Sequence, residues 1–372
     1  MSRPRLMIPG PIDLEPEVLE ALAEQVVPHY GDAWVAAYRH VRKNLLAIAE
    51  SEGEAFVLAG TGIVGIDAAI GTAVPTGGQL IVVDNGFFSG RMCEVADGYG
   101  ITTHVLRTAR GEPVRSEELT AFMQAHPEAR VVGLTHGETA TGVLNDLEAL
   151  GSVVADAGRF LIVDAVSTFG AARVAVDAWA VGICCTASQK ALESPPGAAP
   201  VIVNPRAWEF LDSSGAANHG LYSDLRVWRR YADEMAEFHP QPATMPVNVI
   251  AALTVATDRI LAEGLEPRYR RYREIAARVR VRARAAGYEP LADDAWASPT
   301  VTALRPPSSI RADDVVAAVR ERANIQLGSG IAELAGEVFR VGHMGLSTTD
   351  AYLDDLFSVL ETLSNTQARA AS

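Results

Sequence analysis

Short apolar runs alternate with amphipathic stretches between residues 54 and about 204. Apolar runs of this length indicate buried strands, whereas apolar residues at i, i+3 and i+4 indicate helices. The pattern predicts helices at 63–74, 91–98 and 116–125, and strands at 56–59, 79–83, 130–135, 161–164, 183–187 and 199–203. Because alternating strands and helices are typical of βα units, we expect a mostly parallel sheet covered by helices.

Helical spacing also dominates both ends of the chain. Two helices are predicted at 15–26 and 34–49, and the turn His29-Tyr30-Gly31 between them is either an edge of the active site or an ordinary loop. Residues 205–240 are less regular, which we interpret as an interface or a lid. Beyond Ile250 the pattern predicts a long helical stretch, helices at 313–322 and 350–363, and strands at 300–305 and 338–341. We predict an N-terminal lead (1–15), a large α/β domain (16–264) and a small α+β domain (265–372).

Composition narrows the function classes. The formal charge of −14 argues against a nucleic-acid partner, and the arginine-rich stretch 268–284 has the apolar spacing of one amphipathic helix. No apolar run approaches the roughly 20 residues of a membrane span, and proline follows the basic N-terminus in place of a signal-peptide core. The three cysteines form no C-x-x-C pair, so we expect reduced thiols and no metal site. These features favour a cytoplasmic enzyme without a membrane or nucleic-acid partner.

Lys190 is the first candidate for chemistry. It lies between the apolar run 179–185 and the turn Pro195-Pro196-Gly197, which predicts an amine near the end of a buried strand. A partly desolvated lysine has a lowered pKa and attacks carbonyl carbons, which makes Lys190 a candidate Schiff-base residue. The alternative is an ordinary surface lysine.

Asp164 ends the buried run 160–164, 26 residues before Lys190. Ligands of open α/β sheets bind at the carboxyl ends of strands, and a carboxylate there suits the protonated nitrogen of a pyridine ring such as that of pyridoxal phosphate. The alternative is that Asp164 caps the following helix.

A third segment, Gly60-Thr61-Gly62-Ile63-Val64-Gly65, turns from a strand into a helix. Glycines at a helix N-terminus allow backbone N–H groups to bind phosphate. The spacing also fits a dinucleotide-binding fingerprint, with Asp84 near the position of a ribose-binding acid. A nicotinamide oxidoreductase is therefore a competing hypothesis, although this hypothesis leaves Asp164 and Lys190 without a role.

These segments occur with others in an order similar to that of the class V aminotransferases of fold type I, and specifically resemble the alanine–glyoxylate and serine–pyruvate aminotransferase group. The resemblance covers nearly the whole chain and rests on Pro9-Gly10-Pro11, Gly60-Thr61-Gly62, residues 136–143, 163–167, 188–190 and 195–197, and the segment 339–345. It implies a mostly parallel, seven-stranded type of sheet in a large domain, a smaller C-terminal domain, and pyridoxal 5'-phosphate as cofactor.

The resemblance also implies roles for individual residues. Lys190 and Asp164 would be catalytic, and Arg340 and Gly10 would bind substrate, with the Arg340 guanidinium clamping the substrate carboxylate. The cofactor-binding residues implied by motif position are Thr61, Gly62, Ile63, Phe88, Thr139, Asp164, Val166, Gln189, Lys190 and Thr244. In relatives the residue matching Thr244 reaches the cofactor phosphate of the partner subunit, which implies a homodimer with shared active sites.

Three positions depart from the family pattern. Phe88 stands where an indole is common, and it either stacks on the cofactor or belongs to the core. Ala140 lacks a hydroxyl that many relatives carry, so one cofactor hydrogen bond is either missing or supplied by Thr141. Gln241 stands where relatives usually have a tyrosine that contacts phosphate. For Arg340, the alternative to binding the substrate carboxylate is a structural salt bridge.

The reaction implied is transfer of an amino group from a small, alanine- or serine-like amino acid to a small 2-oxo acid, glyoxylate- or pyruvate-like, in a ping-pong Schiff-base cycle. A pyridoxal-phosphate-dependent lyase, acting by β-elimination or decarboxylation, is the alternative on the same scaffold.

Overall fold

The strands of the chain form two separate sheets and a short two-stranded ribbon. The structure is a computed structural model and describes residues 3–216 and 220–371. Its strands are β1 (Arg5–Met7), β2 (Glu54–Gly60), β3 (Gln79–Asp84), β4 (Thr102–Arg107), β5 (Val131–Thr135), β6 (Gly137–Glu138), β7 (Val143–Leu144), β8 (Phe160–Asp164), β9 (Ile183–Cys185), β10 (Gly197–Val203), β11 (Glu289–Pro290), β12 (Val301–Arg305), β13 (Ile325–Ser329) and β14 (Phe339–Gly342).

The larger sheet has seven strands in the order β2-β10-β9-β8-β5-β3-β4. Strand β10 is antiparallel to both of its neighbours, and the other strands run parallel to one another. Every residue of β5 and β8 is buried, as expected for parallel strands covered on both faces. The predicted α/β sheet is confirmed, and the carboxyl ends of six strands lie along one edge.

The helices are α1 (Pro16–Leu22), α2 (Asp32–Ile48), α3 (Gly62–Ala73), α4 (Phe87–Gly98), α5 (Ser116–Ala125), α6 (Leu147–Asp156), α7 (Ala207–Ser213), α8 (Leu225–Glu234), α9 (Val247–Glu263), α10 (Leu265–Ala285), α11 (Ala312–Ala323) and α12 (Asp350–Ala371). Helices α7 and α8 occupy the segment that the sequence analysis left irregular. Within the described residues, no helix is both long and apolar enough to cross a bilayer.

Some elements differ from the sequence prediction. Strand β9 ends at Cys185 instead of residue 187, and α1 ends at Leu22 instead of residue 26. Strand β4 escaped prediction because it is the edge strand of the sheet and its residues are half-buried or exposed. An edge strand has one neighbour and needs no continuous apolar run.

The smaller sheet has the order β1-β13-β14-β12-β11. Its core is a separate cluster that includes Met7, Tyr288, Phe339 and Phe357, with apolar residues of α10, α11 and α12. Strand β1 pairs in parallel with β13, so residues 5–7 of the N-terminal lead are part of this sheet. The domain boundaries at 15/16 and 264/265 stay predictions.

The lead crosses β14 at very close range. A Cβ atom added at Gly342 would lie 2.0 Å from the Ile8 carbonyl oxygen and 2.4 Å from the Ile8 carbonyl carbon. Backbone atoms cannot yield as the end of a flexible side chain can, so only glycine fits here. This contact holds Pro9 and Gly10 beside the large sheet.

We expect Gly342→Ala to lower the free energy of unfolding by about 2 kcal/mol or more, because the added methyl group forces the lead away from β14. Gly98→Ala is the matched control, since a Cβ there meets nothing within 4 Å. Denaturant midpoints of the two variants provide the measurement. Equal midpoints would show that the lead is not held at Gly342.

Candidate active site

Several loops meet at the carboxyl edge of the large sheet. The loop after β2 leads into α3, and a Cβ added at Gly62 would lie 2.4 Å from Val166 Cγ2 and 3.4 Å from Ala187 Cβ. The first turn of α3 therefore packs directly on the chain that leaves β8 and β9. This brings Thr61, Gly62 and Ile63 to the same edge as Asp164.

Asp164 is the last residue of β8 and only 5% exposed. Its Oδ1 accepts a hydrogen bond of 2.8 Å from the Val166 amide. Burial raises the pKa of Asp164 to about 7; the Val166 hydrogen bond opposes this rise, Glu138 adds to it, and Lys190 opposes it. A cationic N–H group placed against this carboxylate would stabilise its charged form.

Lys190 follows β9 by five residues, and its Nζ donates a hydrogen bond to the Pro9 carbonyl oxygen. Burial lowers the pKa of Lys190 to about 8; the positive charge of Arg340 acts in the same direction and Asp164 opposes both. Gly10, with φ of +90°, passes so close that a Cβ there would lie 2.5 Å from Lys190 Cδ. The lead therefore covers an amine that is partly neutral near pH 8.

Arg340 lies in β14 of the smaller sheet and is 8% exposed. Its Nε donates to the Ser329 carbonyl at 2.9 Å and its Nη1 to the Thr139 carbonyl at 3.5 Å. Among the described residues it forms no salt bridge, and burial lowers its pKa. This contradicts the alternative of a structural ion pair and leaves a buried guanidinium facing the Lys190 side of the site.

The N-terminus of α3 offers donors for an anion. Thr61 is the N-cap residue, and its side chain makes no capping hydrogen bond, so the first-turn N–H groups lack that acceptor. Gln189 Oε1 is buried and has no hydrogen-bond partner in the described part of the chain. A phosphate at this helix terminus, with Gln189 satisfied by a ligand group, fits both observations.

Glu138 has a structural role that its sequence context does not signal. This side chain is fully buried and accepts hydrogen bonds from the amides of Phe88 (3.3 Å), Ser89 (2.9 Å) and Ala140 (2.8 Å). A Cβ at Gly86, the N-cap residue of α4, would lie 2.4 Å from Glu138 Cγ. Glu138 thus supplies the helix cap that Gly86 cannot, and it holds Phe88 and Thr139 at the sheet edge. No local pattern signals a cap that comes from 50 residues away.

The position of Thr141 does not support a replacement for the hydroxyl absent at Ala140. The Thr141 side chain is buried and its hydroxyl is directed at the Asn85 carbonyl oxygen, 3.5 Å away. Thr139 is 5% exposed, and its backbone carbonyl accepts the contact from Arg340 Nη1.

Gln241 is fully buried and has a structural role. Its Oε1 accepts from Trp34 Nε1 at 3.1 Å, and its Nε2 donates to the His29 carbonyl at 2.9 Å. Both ends of the amide therefore make hydrogen bonds within the chain. It ties the turn 29–31 to the segment that carries Thr244, which is exposed on the isolated chain.

The sheet order removes the basis of the dinucleotide interpretation. Strand β2, which precedes the glycine turn, is separated from β3, which ends at Asp84, by β10, β9, β8 and β5. A dinucleotide fingerprint needs the acid on the strand next to the glycine turn. Asp84 instead pairs with Arg107 on the edge strand at 3.4 Å.

The chain is similar in sequence and in structure to known proteins. The family model "Aminotransferase class-V" matches residues 17–331. The soluble hydrogenase small subunit of Synechococcus sp. is 33% identical over 91% of this chain and 88% of its own length. The L-aspartate–glyoxylate aminotransferase of Paracoccus denitrificans is also 33% identical, over 94% of this chain and 88% of its own. The crystal structure of an alanine–glyoxylate aminotransferase from Nostoc sp. has a TM-score of 0.92 at 29% identity and covers 98% of this chain and 96% of its own.

The lowered pKa of Lys190 predicts its reactivity in cofactor-free protein. Because the neutral amine is the nucleophile, acetylation of Lys190 should reach half of its maximal rate near pH 8, whereas an ordinary lysine does so near about 10.4. Peptide mass spectrometry after brief acetic anhydride treatment at a series of pH values measures this rate. The chain contains two lysines. The other one, Lys43, is exposed on α2 and serves as an internal reference. A midpoint above pH 10 would contradict a desolvated Lys190.

Proposed function

The chain belongs to the class V aminotransferases, and on that premise we propose that it transfers the amino group of a small, alanine- or serine-like amino acid to a small 2-oxo acid such as glyoxylate or pyruvate. The protein is an aminotransferase that uses pyridoxal phosphate. Its relatives include a hydrogenase subunit and an L-aspartate–glyoxylate aminotransferase, whereas the site itself indicates the substrate class.

One observation carries the proposal: a buried guanidinium, which has no salt-bridge partner among the described residues, lies near an amine whose pKa is lowered by burial. Arg340 needs a counter-charge, and a carboxylate bound in bidentate fashion supplies it. Lys190 has a pKa of about 8, which suits proton transfer near neutral pH. A ligand with a carboxylate next to a carbon that bears an amino or oxo group, as in amino acids and 2-oxo acids, matches both.

The residues present fit pyridoxal phosphate. Lys190 would hold it covalently, Asp164 would accept a hydrogen bond from the pyridine nitrogen, and the amides of Gly62 and Ile63 with Thr61 and Gln189 would bind the phosphate. We propose that Phe88 would stack on one face of the pyridine ring and that Val166 would contact the opposite face. Thr139 would donate a hydrogen bond to the phenolic oxygen of the cofactor. When bound, this group supplies a carbonyl carbon that exchanges amines and a ring that accepts the electron pair of the substrate α carbon.

The chain's own groups then perform three tasks. Arg340 binds and orients the substrate carboxylate, and Gly10 borders the same space. Lys190 Nζ takes the proton from the substrate α carbon, because about a quarter of an amine with a pKa near 8 is neutral at pH 7.5. Asp164 keeps the proton on the ring nitrogen through its negative charge.

The N-terminal lead supports a small substrate. Gly10 approaches Lys190 Cδ so closely that no methyl group fits between them. The contact of Gly342 with Ile8 holds the lead in place, so the space beside Lys190 is limited.

We also assign a homodimeric state and a cytoplasmic location. Thr244 is exposed on the single chain, which supports its reaching the phosphate site of a second subunit. Nearby, Val26, Val27, Tyr30 and Phe238 are large apolar side chains exposed by about half or more. Such a patch marks an interaction surface. The three free cysteines support a reducing compartment.

Absorption of the purified protein tests the function. With L-alanine or L-serine, the yellow band of the bound cofactor should convert to the pyridoxamine form and return with glyoxylate or pyruvate; 2-aminoethylphosphonate tests a donor without a carboxylate. Lys190→Ala should not show this cycle at a comparable rate. Bleaching without return, with release of ammonia, would indicate a lyase instead.

Arg340→Gln isolates the carboxylate contact in the same assay. Loss of a buried charge partner should raise the alanine concentration needed for half conversion by about 30-fold or more. Arg305→Gln, at an exposed arginine in neighbouring β12, is the control and should leave that concentration unchanged. Equal behaviour of the two variants would exclude the clamp.

Light scattering tests the dimer. The mass should be twice 39.6 kDa, and Val27→Asp should shift it to the monomer and weaken cofactor retention, because a charge on an apolar interface must be desolvated. Val281→Asp places the same charge on an exposed valine of α10 and should keep the dimer. A fully active monomer would contradict shared active sites.

A further inference from the structure

A buried arginine lies directly behind the loops that carry Asp164 and Lys190. Arg268, in the first turn of α10, is only 2% exposed. Its guanidinium does not face solvent or the substrate space. It faces the backbone of two segments that follow β8 and β9.

Arg268 uses all three of its nitrogens in short contacts. Its Nε donates to the Gly170 carbonyl at 2.6 Å, six residues beyond Asp164. Its Nη2 donates to the Ala191 carbonyl at 2.9 Å and to Glu193 Oε1 at 2.7 Å, both just beyond Lys190. Its Nη1 pairs with Glu263 at 2.8 Å. One side chain therefore fixes the Asp164 loop and the Lys190 loop to each other.

The turn after Lys190 needs such support. Glu193 has φ of +56°, a left-handed conformation that side chains other than glycine and asparagine rarely adopt. Its amide closes the turn on the Lys190 carbonyl at 2.9 Å. A residue in this region persists only where surrounding contacts hold it, and here the contact is the ion pair of Glu193 with Arg268.

A second partner of Glu193 leads to the smaller sheet. The hydroxyl of Tyr272, itself fully buried, donates to Glu193 Oε1 at 2.6 Å. The same hydroxyl accepts a hydrogen bond of 3.4 Å from the Gly345 amide. Gly345 follows β14, the strand of Arg340, by three residues. The network thus connects the Lys190 turn to the segment next to the substrate-binding arginine.

We propose that Arg268 is a positioning residue for Lys190: with Glu193 and Tyr272 it holds the left-handed turn that places the amine, and it couples this turn to the Arg340 strand. Proton transfer depends steeply on the distance between donor and acceptor, so a small displacement of Lys190 slows it strongly. The proposal deepens the proposed function and rests on it for the role of Lys190.

The chain contains a matched control. Arg271 lies one turn along α10, binds the same Glu263 through Nε at 2.6 Å and Nη2 at 2.8 Å, and stacks on the same Tyr272 ring. Within the described residues it has no hydrogen bond to the turn after Lys190. Arg268→Lys and Arg271→Lys therefore perturb the same carboxylate and the same ring, but only the first releases the Lys190 turn.

The first measurement does not depend on the reaction. In cofactor-free full-length protein, the pH midpoint for acetylation of Lys190 should rise by half a unit or more in Arg268→Lys, because a loosened turn admits water to the amine. Arg271→Lys should keep the midpoint of the unchanged protein. Equal midpoints in all three proteins would overturn the positioning role, whether or not the protein proves to be an aminotransferase.

The second measurement uses the loaded enzyme. Arg268→Lys should slow the single-turnover half-reaction with L-alanine by about 10- to 100-fold. It should also enlarge the α-deuterium isotope effect and leave the alanine dissociation constant within about threefold. Arg271→Lys should stay within twofold. Tyr272→Phe, which removes one hydroxyl only, should slow the step by several-fold and keeps the test valid if Arg268→Lys folds poorly in a thermal melt.

A double-mutant cycle separates positioning from general stability. In a Lys190→Ala background rescued by added methylamine, Arg268→Lys should cause no further loss, because the residue it positions is gone. A full further loss in that background would show that Arg268 acts elsewhere and would overturn the proposal. A wild-type protein that does not convert with any amino donor would refute the proposed function alone, since the acetylation midpoints still decide the role of Arg268.

Discussion

Burial of charge at one edge of the large sheet is the constraint on which the rest of the site depends. Asp164, Arg340 and Glu138 are buried there and Lys190 is half-buried, and burial shifts the pKa of each in the direction that favours its neutral form. Their mutual attraction compensates only in part, because in the part of the chain that the structure describes Arg340 donates to backbone carbonyls without a salt bridge, and Lys190 also donates to a backbone carbonyl. A ligand with a carboxylate and a cofactor with a phosphate and a ring cation would supply the missing charges. The incompletely compensated charges therefore favour the binding of a charged ligand, and the shifted pKa values favour proton transfer.

The fold produces this edge through parallel strands and a few very close backbone contacts. Gly62 on Val166, Gly86 on Glu138 and Gly10 on Lys190 each bring two segments nearer than any side chain would allow. These contacts set where the helix N-terminus, the aromatic Phe88 and the N-terminal lead stand relative to the amine. Glycine at these positions follows from close approach, and at Gly10 also from a positive φ.

Two polar side chains near the site make their contacts inside this chain. Gln241 makes hydrogen bonds to Trp34 and His29. Glu193, in the Lys190 turn, is held in a left-handed conformation by Arg268 and Tyr272. In both cases a polar side chain near the site satisfies the scaffold and not the ligand, which shows that a motif position alone does not define a role.

Local patterns were sufficient for the parts of the protein that local energetics decide. The apolar runs of β5 and β8, the glycine turn before α3, and the placement of Asp164 and Lys190 after buried strands follow from the sequence, because burial and backbone geometry act on neighbouring residues. Strand β4 was missed because an edge strand need not be apolar. The roles of Glu138, Gln241 and Arg268 were decided only by the tertiary structure. Each depends on partners 49 to 212 residues away, and hydrogen bonds between such distant groups exist only after the sheets and helices have packed.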